Sequence, residues 1–216
     1  MIAIFDLDGT LIDSAADIQA AGNLALAAEG LAPVTYDQVR SFIGNGAQVF
    51  VERLERASAG SIDPARTARM RRLFAEAYET AHALTTIYPG VEEALDRLAR
   101  DGWRLGLCTN KPLQPTLAVL RHLGWEGRFA AVIGGDSLTV MKPDPAPLRA
   151  VIDALGPGPL VYAGDSETDA ATAQAAGVPF ALYTRGYRKS PVSGIPHSRS
   201  FDDWSDFPAL ARALAG

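Results

Sequence analysis

A single cysteine, Cys108, stands in a chain of 216 residues. One thiol excludes an intramolecular disulfide and any cysteine cluster for a metal. Inside an apolar stretch it reads as a small buried hydrophobe rather than a nucleophile. Histidine is almost as scarce, and His82, His122 and His197 lack the spacing of ligands on one helix face. No run approaches the ~18 apolar residues of a membrane span. The N-terminus lacks the basic region and apolar core of an export signal. Basic charge is not in excess either: 20 Lys and Arg against 25 Asp and Glu leave a net charge of −5. Without a basic patch there is no footprint for a nucleic-acid backbone. These absences predict a soluble, cytoplasmic protein with neither nucleic acid nor membrane as partner. An anionic ligand could then be held only by local devices such as a metal ion, one lysine or a helix N-terminus.

What the chain does have is concentrated at its start. Ile2-Ala3-Ile4-Phe5 is an apolar run that ends in Asp6-Leu7-Asp8-Gly9-Thr10. Side chains at i and i+2 of a strand share a face. A strand ending at Phe5 therefore delivers Asp6 and Asp8 together at its carboxyl end, where open α/β sheets bind ligands. Two like charges that close need a cation or a shared proton. The doublet reads as a hard-metal site, an acid/base pair, or both. Taken alone it is also compatible with a simple turn.

The pattern after the doublet is helical. Ala15 to Glu29 reads as a helix stopped by Gly30. Thr35 and Gln38 form a capping box that opens a short helix through Phe42. Gly44-Asn45-Gly46 breaks the pattern, and a helix follows from Ala47 to Ala57. Asp63-Pro64 reads as an N-cap with proline at the first helical position, starting a helix to about His82. No strand signal occurs between Ser14 and Thr85.

From Tyr88 onward, strands and helices alternate. Helices are expected at 91–100, 113–123, 145–155, 168–176 and 205–214. Strands are expected at 103–108, 130–133, 160–163 and 179–183, and Gly186 to Ser200 reads as an irregular loop. Such alternation means a doubly wound parallel sheet of the α/β class. The helical block reads as an insert. The expected division is a catalytic core of 1–14 and 84–216 and an all-α cap domain of 15–83.

Four segments fall at or just after expected strand ends: Asp6 to Thr10, Thr109-Asn110-Lys111, Lys142-Pro143-Asp144-Pro145, and Gly164 to Asp169. They supply paired carboxylates, a hydroxyl, an ammonium and further carboxylates. Phosphoryl transfer needs that inventory: a nucleophile, a metal, a fixed cation and donors for the equatorial oxygens. In this order the segments resemble the motifs of the haloacid dehalogenase superfamily, phosphatase branch. The helical block resembles that family's all-helical cap. Ile43-Gly44-Asn45-Gly46-Ala47, Ile133-Gly134-Gly135-Asp136, the Lys142 segment and Gly186-Tyr187 further resemble bacterial phosphoglycolate phosphatases.

The resemblance implies a Mg²⁺-dependent phosphomonoesterase acting on a small phosphorylated metabolite, with 2-phosphoglycolate first. Asp6 would be the nucleophile and Asp8 the acid/base. The metal would be held by Asp6, the backbone carbonyl of Asp8, and Asp165. Asp169, one helical turn on, would hold metal-bound waters. Thr109 and Lys142 would serve the phosphoryl group. Gly9, Thr10, Gly44, Asn45, Gly46 and Asn110 would contact substrate.

Each of these residues has a blander reading. Thr109 could be the N-cap of the next helix, and Asp165 and Asp169 an N-cap and a first-turn acid. Lys142 alone would be a solvated lysine, and the basic residues Arg185, Arg188 and Lys189 a solvated loop. Rival functions are another small-metabolite or sugar-phosphate phosphatase, or a sugar-phosphate mutase of the same superfamily. A binding module of the same fold would be expected to lack one of Asp6, Asp8, Lys142 or Asp165. A monomer and a homodimer are equally compatible with the chain.

Overall fold

Strand β1, Ile2–Phe5, has every residue fully buried, and this is why its run is apolar on both faces. In the computed structural model, which describes residues 1–216, β1 lies inside a six-stranded sheet. The other strands are β4 (Arg104–Cys108), β5 (Ala131–Ile133), β6 (Leu160–Gly164), β7 (Phe180–Tyr183) and β8 (Arg199–Phe201). The order is β5-β4-β1-β6-β7-β8, and every pairing is parallel. Phe5 is in register with Leu107 on one side and Ala163 on the other. The chain leaves β1 towards β4 and later returns to its opposite side as β6, so β1 marks the switch point where doubly wound sheets open a crevice.

Alternation along the strands divides the core. Ala3 and Phe5 face the layer built by α5 (Val91–Arg100), α6 (Leu113–His122) and α9 (Phe207–Ala215), where Trp125 and Trp204 are the largest fully buried side chains. Ile2 and Ile4 face α7 (Ala146–Leu155) and α8 (Glu167–Ala176). A third cluster is separate from both. It joins Ile18, Leu26, Val39, Leu54, Met70 and Phe74, which lie on α1 (Ala15–Ala28), α2 (Tyr36–Phe42), α3 (Gly46–Ala59) and α4 (Pro64–Tyr78). Both expected N-terminal signals operate here. Thr35 and Gln38 form a reciprocal capping box, and the Asp63 carboxylate accepts from the Arg66 N–H with Pro64 in the first turn. No helix is long and apolar enough to cross a membrane.

Three elements differ from the sequence reading. First, α4 ends at Tyr78, short of His82. The buried Asp17 carboxylate accepts from the Leu84 N–H at 3.0 Å and the Thr85 hydroxyl at 2.7 Å, which draws the chain out of the helix. Second, β2 (Ile12–Asp13) and β3 (Thr86–Ile87) form an antiparallel ribbon where the helical block leaves and rejoins the sheet. Two residues are too few to display a period. Third, Gly186 to Ser200 is not wholly irregular, because β8 begins at Arg199 and adds a sixth strand. As an edge strand with only Phe201 buried, it carries no apolar run.

Candidate active site

The carboxyl ends of β1, β4 and β6 converge on one cavity of about 70 Å³, enough for roughly five water-sized groups. Asp6 follows β1 directly, and its N–H is fixed by the Ala163 carbonyl at 2.9 Å. Asp165 follows β6, and Thr109 follows β4 with its N–H on the Ile133 carbonyl at 3.0 Å. Lys142 enters from the loop after β5. The four segments singled out in the sequence therefore meet in space.

Lys142 is the electrostatic centre. Its ammonium lies 2.9 Å from Asp6 Oδ1 and 2.6 Å from Asp169 Oδ1, and donates to the Tyr162 hydroxyl at 3.0 Å. Burial lowers the ammonium's proton affinity, but the Asp169 and Asp6 carboxylates outweigh it and hold its pKa above the ordinary lysine range. Asp169 has both oxygens engaged, Oδ1 by Lys142 and Tyr162 and Oδ2 by the Ser166 N–H and hydroxyl. Burial pushes Asp169 up, yet Lys142 and these hydrogen bonds bring it below the usual carboxylate range.

Asp165 is different. Its oxygens accept from the Thr10 hydroxyl at 2.9 Å and from the Tyr187 N–H, and no side-chain cation reaches it. Burial, with Asp169 and Asp6 as neighbouring like charges, raises its pKa well above the usual range. Burial likewise pushes Asp6 up to about 7 against the pull of Lys142. One oxygen from each of Asp6, Asp165 and Asp169 lies within 4.8 Å of the others. Two buried carboxylates short of positive charge, with oxygen donors only, suit a hard divalent cation. Asp169 is committed elsewhere and stands behind them. The Asp8 carboxylate is not in this cluster. It accepts from the Ser14 hydroxyl at 2.5 Å and lies 3.5 Å from the Lys111 ammonium.

The remaining predicted residues divide by location. Gly44, Gly46, Thr109 and Asn110 line the cavity. Asn110 donates to the carbonyls of Gly44 and Lys142 at 3.0 and 2.9 Å, and so ties the helical block to the lysine loop. Gly46 has φ +81°, a left-handed conformation that favours glycine at this bend of the loop. Gly9, Thr10 and Asn45 do not line the cavity. Thr10 holds Asp165, Gly9 leaves room for it (φ +87°, with a Cβ 2.6 Å from Asp165 Oδ2), and Asn45 is engaged by Arg53. Two capping expectations are also corrected. Helix α6 is capped at Pro112, and Thr109 Oγ1 instead accepts from the Lys111 N–H at 3.1 Å. Helix α8 is capped by Ser166 in a capping box with Asp169, not by Asp165.

The sequence placed Lys111 in one of the four segments without a role for it, and gave no sign of Tyr78, Ser14 or the work of Tyr187. Tyr187 holds Asp165 through its N–H, while its hydroxyl accepts from Ser14 N–H at 2.9 Å and donates to Asp13 at 2.7 Å. The only signal was the pairing Gly186-Tyr187. Cys108 is buried in β4, and burial pushes its thiol up to about 12, as a structural residue requires.

Known proteins share this architecture and sequence. The model of the haloacid dehalogenase-like hydrolases matches residues 1–177. A phosphoglycolate phosphatase of Cereibacter sphaeroides is 50% identical over 212 residues, 98% of this chain and 97% of that protein. One from Rhodobacter capsulatus is 44% identical over 96% of this chain and 94% of that protein. A crystal structure of a predicted phosphoglycolate phosphatase from Haemophilus somnus superposes with TM-score 0.91 at 30% identity, covering 97% of this chain and 96% of that one. The strand order, the four converging segments and these matches agree: the chain belongs to the haloacid dehalogenase-like hydrolases.

Proposed function

We propose that this protein is a cytoplasmic, Mg²⁺-dependent phosphatase that hydrolyses 2-phosphoglycolate through an aspartyl-phosphate on Asp6. The observation that carries the reading is the separation of duties between two carboxylates two residues apart. Asp6 is bound to the Lys142 ammonium, while Asp8 is held apart by Ser14 and Lys111. A nucleophile and an acid/base need such different surroundings. The substrate reading is supported by the name that the Cereibacter and Rhodobacter relatives carry and by the small cavity.

Asp6 attacks phosphorus while the ester oxygen departs, and Asp8 gives that oxygen a proton. Asp8 then takes a proton from the water that attacks the aspartyl-phosphate, releasing inorganic phosphate and restoring Asp6. Lys142 balances charge on Asp6 and the phosphoryl group, and the Thr109 hydroxyl donates to a phosphoryl oxygen. The carboxylates of Asp6 and Asp165 and the Asp8 carbonyl would hold Mg²⁺, which supplies neutralisation of phosphoryl charge. Residues 15–83 act as the cap over a core of 1–14 and 84–216, with Gly44 to Gly46 brought to the substrate by that cap.

Asp6→Asn should lower phosphate release from 2-phosphoglycolate by about 10³-fold or more with an unchanged circular-dichroism spectrum. Substantial residual turnover would sink the nucleophile assignment. Isomerised sugar phosphate in place of free phosphate, across a panel of phosphorylated metabolites, would favour a mutase instead.

A further inference from the structure

The catalytic cycle above leaves one buried cation without work. Lys111 lines the cavity with its side chain 2% exposed. Its ammonium donates to the Tyr78 hydroxyl at 2.5 Å, lies 4.1 Å from the centre of that ring, and is 3.5 Å from Asp8 Oδ1. No other carboxylate forms an ion pair with it.

The Asp8 carboxylate is already engaged by the Ser14 hydroxyl at 2.5 Å, and at 3.5 Å it is farther from Lys111 than a direct charge-assisted hydrogen bond. Lys111 is thus a buried cation that faces the cavity with no close acceptor except a phenol, and an anion arriving there would complete its shell. The substrate brings one. In 2-phosphoglycolate the carboxylate carbon lies two bonds beyond the ester oxygen. An ester oxygen within hydrogen-bond reach of Asp8 thus sets that carboxylate beside a cation 3.5 Å from Asp8.

We infer that Lys111 is the specificity-determining residue of this site: its ammonium donates to the substrate carboxylate and selects phosphomonoesters that carry an acid group next to the ester carbon. Tyr78 is a positioning residue. It comes from α4, thirty-three positions away from Lys111, so the carboxylate site is complete only with the helical block seated on the sheet. The stacked ring of Phe74, 4.9 Å from that of Tyr78, fixes the phenol in turn. This inference rests on the phosphoglycolate reading and gives it a structural cause.

The test compares 2-phosphoglycolate with ethyl phosphate, which keeps the phosphoryl group and primary ester but replaces the carboxylate by a methyl. The wild type should prefer 2-phosphoglycolate by about 100-fold in kcat/KM. Lys111→Met, which also removes a neighbour of Asp8, should lose about 30-fold more kcat/KM on 2-phosphoglycolate than on ethyl phosphate, the excess arising mostly through KM. Tyr78→Phe should raise KM for 2-phosphoglycolate alone. If Lys111→Met does not fold, Lys111→Gln keeps a donor for Tyr78 without the charge and must show the same split. An equal fall on both substrates, or none on either, would overturn the assignment. A wild type that hydrolyses both esters equally overturns carboxylate recognition and leaves the phosphatase standing. A wild type that hydrolyses neither with Mg²⁺ present overturns the phosphatase reading itself.

Discussion

Lys142 illustrates how far single residues govern this site. Its ammonium is enclosed with two carboxylates and a phenol, at 2.9 Å from Asp6, 2.6 Å from Asp169 and 3.0 Å from Tyr162. Removing one partner of a buried ion pair leaves the other charge unpaired, at a cost of about 3–5 kcal/mol. Lys142→Met should therefore lower stability by about that amount at pH 7, measured by denaturant unfolding, and abolish turnover. A variant as stable as the wild type would mean that Asp6 and Asp169 share a proton in place of the cation. Of the residues legible in the sequence, Asp6, Thr109 and Asp165 directly follow strand ends, where local pattern fixes their place, and Lys142 lies farther out, in the loop after β5. Lys111 and Tyr187 were not legible in the same way. Their partners Tyr78 and Asp165 lie 33 and 22 positions away, and only the packed fold brings them together.

At the scale of elements, the helical block shows how one buried carboxylate can organise a turn. Glu55, fully buried on α3, accepts from the Asp63 N–H at 2.9 Å, from Arg66 Nε at 2.7 Å, and from the Thr67 hydroxyl. It thereby fixes the start of α4 against α3. Burial raises the Glu55 pKa, but the bonds from Thr67, Asp63 and Arg66 outweigh it, and the net shift is downward. A depressed folded-state pKa gives stability that is complete above the unfolded value of about 4.3 and is lost as pH falls through the folded value. Glu55→Ala should cost about 1–3 kcal/mol at pH 7, because the Thr67 hydroxyl and Asp63 N–H lose their acceptor. Unfolding titrations should show the gap between wild type and variant closing below about pH 4. A gap that persists unchanged at pH 3 would refute the ionised-acceptor account. Elements were legible where their signals are local, as with the Thr35–Gln38 capping box and the alternating strands after Tyr88. The ribbon of β2 and β3 and the edge strand β8 were not. They are two and three residues long and owe their conformation to partners rather than to their own periodicity.

For the whole molecule, the sheet and the helical block meet through few but specific contacts. Asn110 binds the Gly44 carbonyl, Arg40 binds the Gly186 carbonyl at 2.9 Å, and the Tyr187 hydroxyl takes the N–H groups of Ser14 and Ala15. Tyr187 also carries the backbone N–H that holds Asp165, so the position of the block is linked to the acidic cluster. That cluster is itself a whole-molecule determinant of stability, because Asp6 and Asp165 lie buried beside further negative charge. A cation that binds only the folded state stabilises it by about 2.7 kcal/mol at a concentration one hundred times its Kd. For a chain of this length that is a rise in Tm of roughly 5–10 °C. Thermal melts of the wild type should show such a rise on adding Mg²⁺ to protein stripped by chelator. Asp165→Asn should remove the rise, since it takes away the carboxylate that no lysine neutralises. Without metal the same variant should melt at or above the wild-type temperature, because a buried like charge is gone while an acceptor for Thr10 and Tyr187 remains. The two halves of this prediction oppose each other in sign, which separates a metal site from a merely structural acid. If Asp165→Asn melted lower without metal and kept the full Mg²⁺ shift, the cation would have to bind elsewhere. The raised proton affinity of Asp165 would then be a cost of packing alone.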